Sequence, residues 1–169
     1  MEKRLILRTV DKDRKSYGGF VWPELGYVEA TDWQPTESCG NGLHGFLWGE
    51  GDGSLADWSE SAKWIVAEII GEHIDLGGKV KFRAATVLFC GERIAATDFL
   101  AKSGAAEKAI IGGTATAGYG GTATAGDGGT VVIKFWDVKR YRLAIGYVGE
   151  DIKANTKYRA DAKGRLIEA

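Results

Sequence analysis

Short runs in which hydrophobic and polar residues alternate recur along the chain and predict a mostly β protein. Strands are expected at residues 5–10, 26–30, 64–70, 79–82, 85–90, 131–136 and 141–148, because successive side chains of a strand point to opposite faces. A hairpin is expected to pair residues 157–160 with residues 165–168. The run Lys-Val-Lys-Phe at 79–82 indicates a strand with one face exposed to solvent.

Two segments have helical rather than alternating spacing. Ser54 can cap a helix over residues 54–63, and residues 92–102 place apolar side chains on one side of a second helix. Gly104 follows at a position suited to ending that second helix. No linker divides the chain, so the pattern predicts one α+β domain, mostly β, with two short helices.

Residues 112–127 contain the same eight-residue unit twice, Gly-Gly-Thr-Ala-Thr-Ala-Gly followed by Tyr119 or Asp127. A third copy begins at residue 128 and changes into Val131-Val132-Ile133. If the alanines point inward, each strand encloses a core only two methyl groups deep, and the glycines allow four-residue turns between strands. Two octads would then form one flattened coil of a short β-solenoid. An antiparallel meander with four-residue hairpin loops is the alternative.

We expect three segments within this one domain. Residues 1–109 form a globular α+β part, residues 110–133 form the octapeptide-repeat β-solenoid, and residues 134–169 form a C-terminal β segment on the same core. Ile110 and Ile111 before the repeats, and Val131 and Ile133 after them, are expected to dock the coil on the main core, because a short stack cannot safely expose its strand edges.

Charge and cysteine content bear on partners and location. The chain has 22 Lys and Arg against 23 Asp and Glu, so it lacks the basic surplus that nucleic-acid binding requires. Its two cysteines are too few and too far apart for a disulfide framework, which favours reduced thiols. The N-terminal apolar run is too short for a signal peptide, and no run approaches the ~20 residues of a membrane span. We therefore expect a cytoplasmic protein without a membrane partner.

The octads resemble the Ala-Gly-Tyr-Gly-Ser-Thr-like repeats of bacterial ice nucleation proteins. This resemblance covers about 20 of the 169 residues. Ice-binding surfaces of that class present long Thr-x-Thr arrays, whereas this chain has two pairs, Thr114 with Thr116 and Thr122 with Thr124, expected on opposite sides of the coil. One pair on each side is too small to template a lattice, so we expect a function other than ice nucleation.

A second resemblance covers most of the chain and rests on the order of its motifs. These are Gly-Phe-Val-Trp-Pro at 19–23, Cys-Gly-Asn-Gly-Leu-His-Gly at 39–45, Leu-Gly-Gly-Lys-Val-Lys-Phe at 76–82, the octads, and Tyr-Val-Gly-Glu-Asp at 147–151. The order is similar to that of an uncharacterised bacterial and phage family with a variable number of Gly-x-Ala-Thr-Ala-Gly repeats. The resemblance implies that repeat number is variable, and it implies no activity.

The glycine-rich stretch from Cys39 to Asp52 carries the candidate catalytic residues. A Cys39 thiolate and the His44 imidazole, five residues apart, could act as nucleophile and base, with Glu50 or Asp52 as an acid or base. The alternative is that His44 hydrogen-bonds a backbone group and holds the loop.

Metal binding is not favoured. The two cysteines and two histidines lack the paired spacing of zinc ligands, and the acidic residues in 50–57 do not match the twelve-residue calcium loop. We therefore expect no metal and no cofactor.

Five tryptophans fall between residues 22 and 64. Exposed in a row, they would form a platform for stacking sugars or nucleobases, whereas packing beneath the loops would make them core residues. Trp33 and Trp48 flank the Cys39–His44 loop and are the binding candidates, together with the four octad threonines.

Three functions are consistent with these patterns. The preferred one is a non-enzymatic binding or scaffold module whose repeat segment sets shape, or mediates assembly with a protein partner or a second copy. The alternatives are an enzyme that uses the Cys39–His44 loop and a Trp-lined carbohydrate- or nucleobase-binding protein.

Overall fold

The computed structural model describes residues 3–169 and contains eleven strands and one α-helix in that range. The strands are β1 (Leu5–Val10), β2 (Gly26–Glu29), β3 (Leu43–Leu47), β4 (Lys63–Asp75), β5 (Val80–Gly91), β6 (Thr114–Ala117), β7 (Ala123–Thr124), β8 (Thr130–Trp136), β9 (Tyr141–Tyr147), β10 (Lys157–Ala160) and β11 (Leu166–Glu168). The helix α1 spans Arg93–Leu100 and continues into a π-helical turn at Ala101–Ala105. Single 3-10 turns lie at Tyr17–Gly19 and Gly53–Leu55.

The first five strands form an antiparallel sheet in the order β2-β5-β3-β1-β4. Because β4 also pairs with β5, strands β1, β3, β5 and β4 close into a ring. Breaks in the β4–β5 register at Val66/Ala67 and at Ile70/His73 help the two long strands to curve, as β-bulges do. We call this part, up to residue 109, the base.

Both faces of β1 are buried, so its alternating side chains enter two separate clusters. Ile6 and Val10 pack with Trp22, Ile65 and Phe82, whereas Leu5 and Leu7 face a second cluster beneath α1. Ile110 and Ile111 belong to this second cluster, so the segment that leads into the repeats docks on the base as predicted.

The remaining strands form two three-stranded sheets, β6-β8-β9 and β7-β10-β11. A third cluster lies between them, with Ala123, Ala125, Ile152 and Tyr158 among its buried members. Val131 and Ile133 also lie in this cluster. They therefore fill the core of the repeat segment rather than docking it on the main core, which differs from the sequence expectation. We call residues 110–169 the repeat module.

The predicted helix over residues 54–63 is wrong, and the described part of the chain has one α-helix rather than two. Only Gly53–Leu55 makes a 3-10 turn, which Asp52 caps by accepting a hydrogen bond from the Ser54 N–H at 2.9 Å. Trp58 donates its indole N–H to the Gly53 carbonyl at 2.9 Å and packs at 5.6 Å from Trp64. These contacts hold the segment in an irregular path that a helix would not permit.

The strand predicted at 79–82 forms, but Lys81 does not face solvent. Its side chain is fully buried, and its ammonium donates to the Ser38 carbonyl at 2.9 Å and to the Thr36 hydroxyl at 3.2 Å. The loop before β3 folds over the strand and covers this lysine, which no alternation pattern within the strand could reveal.

Strands β6 and β8 pair in the way that successive turns of a coil do. These strands are parallel, and Thr114 pairs with Thr130, which is an offset of two octads. The antiparallel neighbours that a meander requires are not found between β6 and β7 in the described residues. The stack does not continue as a regular solenoid, however, because the neighbour of β7 is the antiparallel strand β10.

Candidate functional site

The octads form a corner every eight residues. The third residue of each corner is a glycine with positive φ: Gly112 at +67°, Gly120 at +75° and Gly128 at +61°. A backbone hydrogen bond closes each corner, from Gly113 to Ile110, from Gly121 to Gly118 and from Gly129 to Gly126, at 3.0–3.1 Å. Glycine reaches this left-handed conformation without steric cost, so the repeat directly encodes the corners.

Between the corners, alanines point inward and threonines point outward. Ala123 and Ala125 are buried, and Ala115 and Ala117 pack against the same cluster. Thr114, Thr116 and Thr122 are exposed and Thr124 is half-buried. Since β6 and β7 belong to different sheets, the two Thr-x-Thr pairs do not form one array.

Contacts from Asp127 and Gly128 fasten the repeat module to the base, and Glu50 holds the last residues of the base where the module begins. The Asp127 carboxylate accepts the Gly53 N–H at 2.9 Å, and Gly128 lies against the Trp58 ring. Glu50 accepts the Ala109 N–H at 3.1 Å and forms an ion pair with Lys108 at 3.1 Å. Glu50, a predicted acid or base, thus lies at this junction.

Two strand edges lie open at the start of the coil. Within residues 3–169, β6 hydrogen-bonds to β8 alone and β7 to β10 alone. Residues 109–126, which contain both strands, carry no charged side chain and no proline. Proteins commonly protect edge strands with such residues, so these edges lack the usual protection against pairing with another chain.

The outer face of the β6-β8-β9 sheet is apolar and exposed. Five large side chains on it are 40–59% exposed: Trp136, Tyr141, Leu143, Ile145 and Tyr147. Tyr119, from the corner between the octads, packs against Tyr141 with ring centroids 5.7 Å apart. Lys134 also lies on this face, with its Nζ 5.6 Å from the Tyr141 ring. A largely apolar surface of this kind is typical of an interaction site.

In the glycine-rich loop, Cys39 is partnered by a lysine and not by His44. The exposed thiol accepts a hydrogen bond from the Lys79 ammonium at 3.1 Å, and this contact lowers the thiol's pKa. His44 is half-buried on β3, and its Nε2 has no hydrogen-bond partner. Desolvation, followed by the charges of Lys79 and Arg8, lowers the His44 pKa to about 4, so the imidazole is neutral near pH 7.

Cys39 and His44 do share one cavity of about 620 Å³. It lies between the turn at 16–20, the loop at 30–32 and the loop at 39–46, and Arg8 and Lys79 also line it. Glu50 and Asp52 are not among its lining residues. The four predicted catalytic residues are therefore divided between this cavity and the junction with the repeat module.

The tryptophans do not form an exposed row. Trp22 and Trp64 are buried, and Trp58 packs on Trp64 and Gly128. Trp33 packs against the first core cluster with its ring 5.8 Å from the Lys81 ammonium, and Trp48 packs against the second.

Sequence reasoning missed the three basic residues around the cavity, Arg8, Lys79 and Lys81. Lys79 and Lys81 flank Val80, so two positive charges close together are visible in the sequence. Their alternation with apolar residues indicated a solvent-exposed face rather than a binding site. Arg8 gave no signal, because it stands in an ordinary alternating strand far from the loop in sequence.

Comparison with known proteins identifies ice nucleation proteins as relatives. The chain is 40% identical over 104 residues to one from Xanthomonas campestris pv. translucens, covering 60% of this chain and 7% of that protein. It is 37% identical over 102 residues to one from Pantoea ananas, covering 59% of this chain and 10% of the relative. One from Pseudomonas syringae is 39% identical over 103 residues, which are 59% of this chain and 9% of that protein.

These matches confirm the resemblance to ice nucleation proteins and extend it. The aligned stretch of more than 100 residues is far longer than the octads, so the likeness includes sequence outside them. The chain spans a tenth or less of the length of these relatives. It matches no protein-family model, and no solved structure matches it.

The relatives overturn the predicted cytoplasmic location. Because the relatives are named ice nucleation proteins, that prediction is wrong. None of the helical segments in residues 3–169 has the length and apolar character needed to cross a membrane.

Proposed function

We propose that the protein is a non-enzymatic assembly module in which the open end of the octapeptide coil pairs with a second copy. The observation that carries this proposal is the unpaired edge of β6, in a segment free of charged residues and proline. The relatives' name, ice nucleation protein, supports a role that depends on the repeat segment rather than on catalysis.

The geometry of the coil end favours a symmetric dimer. An antiparallel β6–β6 contact about a two-fold axis would extend the β6-β8-β9 sheet to six strands. Main-chain hydrogen bonds supply the attraction in such edge pairing, and small side chains let the two strands approach. β6 contains only threonine and alanine, which suits this approach.

The proposed pairing would also extend the exposed apolar face. Because this face lies on the sheet that β6 borders, edge pairing would place the faces of two copies side by side. The result would be one double-width surface that carries large exposed side chains such as Tyr141 and Leu143 from both copies.

Sedimentation velocity across a range of protein concentrations tests the proposal. Thr116→Lys places two ammonium groups beside each other across the two-fold axis, so this variant should remain monomeric where the unchanged protein dimerises. Ser61→Lys is the matched control, because Ser61 is also exposed but lies in the base, and it should dimerise normally. An unchanged protein that is monomeric at every concentration, or equal association of both variants, would contradict the proposal.

A second candidate, an enzyme that uses Cys39, is favoured by one observation. The thiol has a lowered pKa beside Lys79 at the wall of a cavity that also contains a neutral imidazole. The rate at which Cys39 is alkylated tests this candidate.

A further inference from the structure

Arg8 is a partly buried cation on the wall of the cavity. It lies on β1, its Nε is inaccessible to solvent and donates no hydrogen bond, and it forms no ion pair within residues 3–169. Desolvation lowers the pKa of its guanidinium. Buried charges in proteins are ordinarily paired, because the loss of hydration is otherwise costly.

Two lysines near Arg8 add to the positive charge around the cavity. The Lys79 ammonium lies on the same cavity wall, and Lys81 is buried behind the loop that forms another wall. Asp32 is the one carboxylate among the residues that line the cavity. The cavity lining therefore carries two cations, Arg8 and Lys79, and one anion, Asp32. Asp32 accepts no hydrogen bond from the Arg8 Nε.

His44 supplies a second unsatisfied polar atom in the same cavity. Its Nε2 is inaccessible to solvent and has no hydrogen-bond partner, although the residue as a whole is half-buried. A buried polar atom without a partner is uncommon in folded proteins. Arg8 and His44 each have one such atom, and both side chains line the same cavity.

The rest of the cavity is suited to an apolar body. Its lining includes Phe20, Trp22, Leu43 and Phe46. The volume of about 620 Å³ falls within the range typical of small-molecule sites and is far larger than one inorganic ion needs.

We propose that this cavity binds a small organic oxyanion, a carboxylate or phosphate carried on an apolar or aromatic body. The oxyanion pairs with the Arg8 guanidinium and the Lys79 ammonium, and the body packs against Phe20 and Trp22. Arginine is suited to this role, because its planar fork can donate two parallel hydrogen bonds to one carboxylate or phosphate. The site lies in the base and is independent of the proposed assembly through β6.

Titration of the two histidine ring resonances by NMR measures this binding directly. His44 and His73 are the two histidines of the chain, and His73→Gln assigns their signals. Phenyl phosphate and benzoate are the anionic probes, benzyl alcohol is the neutral probe, and inorganic phosphate lacks the apolar body. The His44 signal should shift saturably with at least one anionic aromatic probe at millimolar concentration, and at least tenfold more weakly with benzyl alcohol or inorganic phosphate.

Two variants separate binding from structural support. Arg8→Met should abolish the His44 shift and keep or raise the melting temperature, because it removes a partly buried charge that has no ion-pair partner. Arg83→Met, an exposed arginine on the same sheet, should leave the shift unchanged. If Arg8→Met fails to fold, Lys79→Met takes its place and should weaken binding at least tenfold. No saturable His44 shift in the unchanged protein with either anionic probe, or equal shifts with benzyl alcohol, would overturn the proposal.

Discussion

Thr114 of β6 lies beside Thr130 of β8 in a parallel pair, and the two residues occupy the same position of successive coils. The offset of two octads arises because each octad supplies one short strand and one glycine corner. Successive octads therefore lie on opposite sides of a shared alanine core, and alternate octads stack. This relationship places β6 at the open end of the stack, where a further coil or another copy can add.

The contact between Gly128 and Trp58 should stabilise the junction of base and repeat module. A Cβ at position 128 would lie 2.5 Å from the Trp58 ring, whereas a Cβ at Gly120 would meet nothing within 4 Å. Both glycines have positive φ, so Gly120→Ala measures the backbone cost alone, on the order of 1 kcal/mol. Gly128→Ala should cost about 1–3 kcal/mol more, because the Trp58 ring must move.

Urea unfolding followed by tryptophan fluorescence measures both variants. Equal losses of unfolding free energy for Gly120→Ala and Gly128→Ala would show that Trp58 does not support the junction.

Cys39 should be the more reactive of the two thiols. The hydrogen bond from Lys79 lowers the pKa of Cys39, whereas burial raises the pKa of Cys90. Iodoacetamide near neutral pH should therefore alkylate Cys39 first, as resolved by peptide mass spectrometry. Lys79→Met should slow the reaction at Cys39, and Lys153→Met, which removes an exposed and distant cation, should not.

Two results would count against this account of the thiol. Cys39 reacting no faster than Cys90 would remove the basis for the enzyme hypothesis, as would a Cys39 rate that does not change in Lys79→Met.

His44 should make the protein less stable in acid. Its pKa is about 4 in the folded protein and near the ordinary value of 6.5 when unfolded, so the unfolded chain binds more protons between these values. The free energy of unfolding should therefore fall as the pH decreases from 6.5 to 4. His44→Gln should flatten this part of the stability curve, while His73→Gln should not, as measured by urea unfolding at a series of pH values. Equal slopes for the unchanged protein and His44→Gln would contradict the assignment.

The sequence predicted those strands, helices and turns that are determined by residues close together along the chain. The first strand was predicted with the bounds that the structure has, and α1 and the terminal hairpin lie close to their predicted positions. The repeated glycines of the octads predicted where the corners lie, because only glycine adopts the required positive φ without steric cost. In each of these cases the deciding interactions lie within a few residues of one another along the chain.

The features that sequence reasoning missed depend on contacts between distant segments. The helix predicted from the spacing of residues 54–63 is absent because Trp58 packs against Trp64 and the third octad copy. Lys81 is buried because a loop some 40 residues earlier covers it. The cavity forms where segments near residues 18, 32 and 40 meet over β1 and β3, so Arg8 and His44 acquire their environment from the tertiary fold alone.

Hydrogen exchange of the β6 amides tests the proposed assembly most directly. The amides of residues 114–117 that do not bond to β8 have no acceptor within one copy, whereas β6–β6 pairing would supply one. The account predicts that these amides exchange more slowly as protein concentration rises, and that Thr116→Lys removes this dependence while β8 amides are unaffected. If the β6 amides that do not bond to β8 exchange at the same fast rate at every protein concentration, the proposed β6–β6 pairing is contradicted.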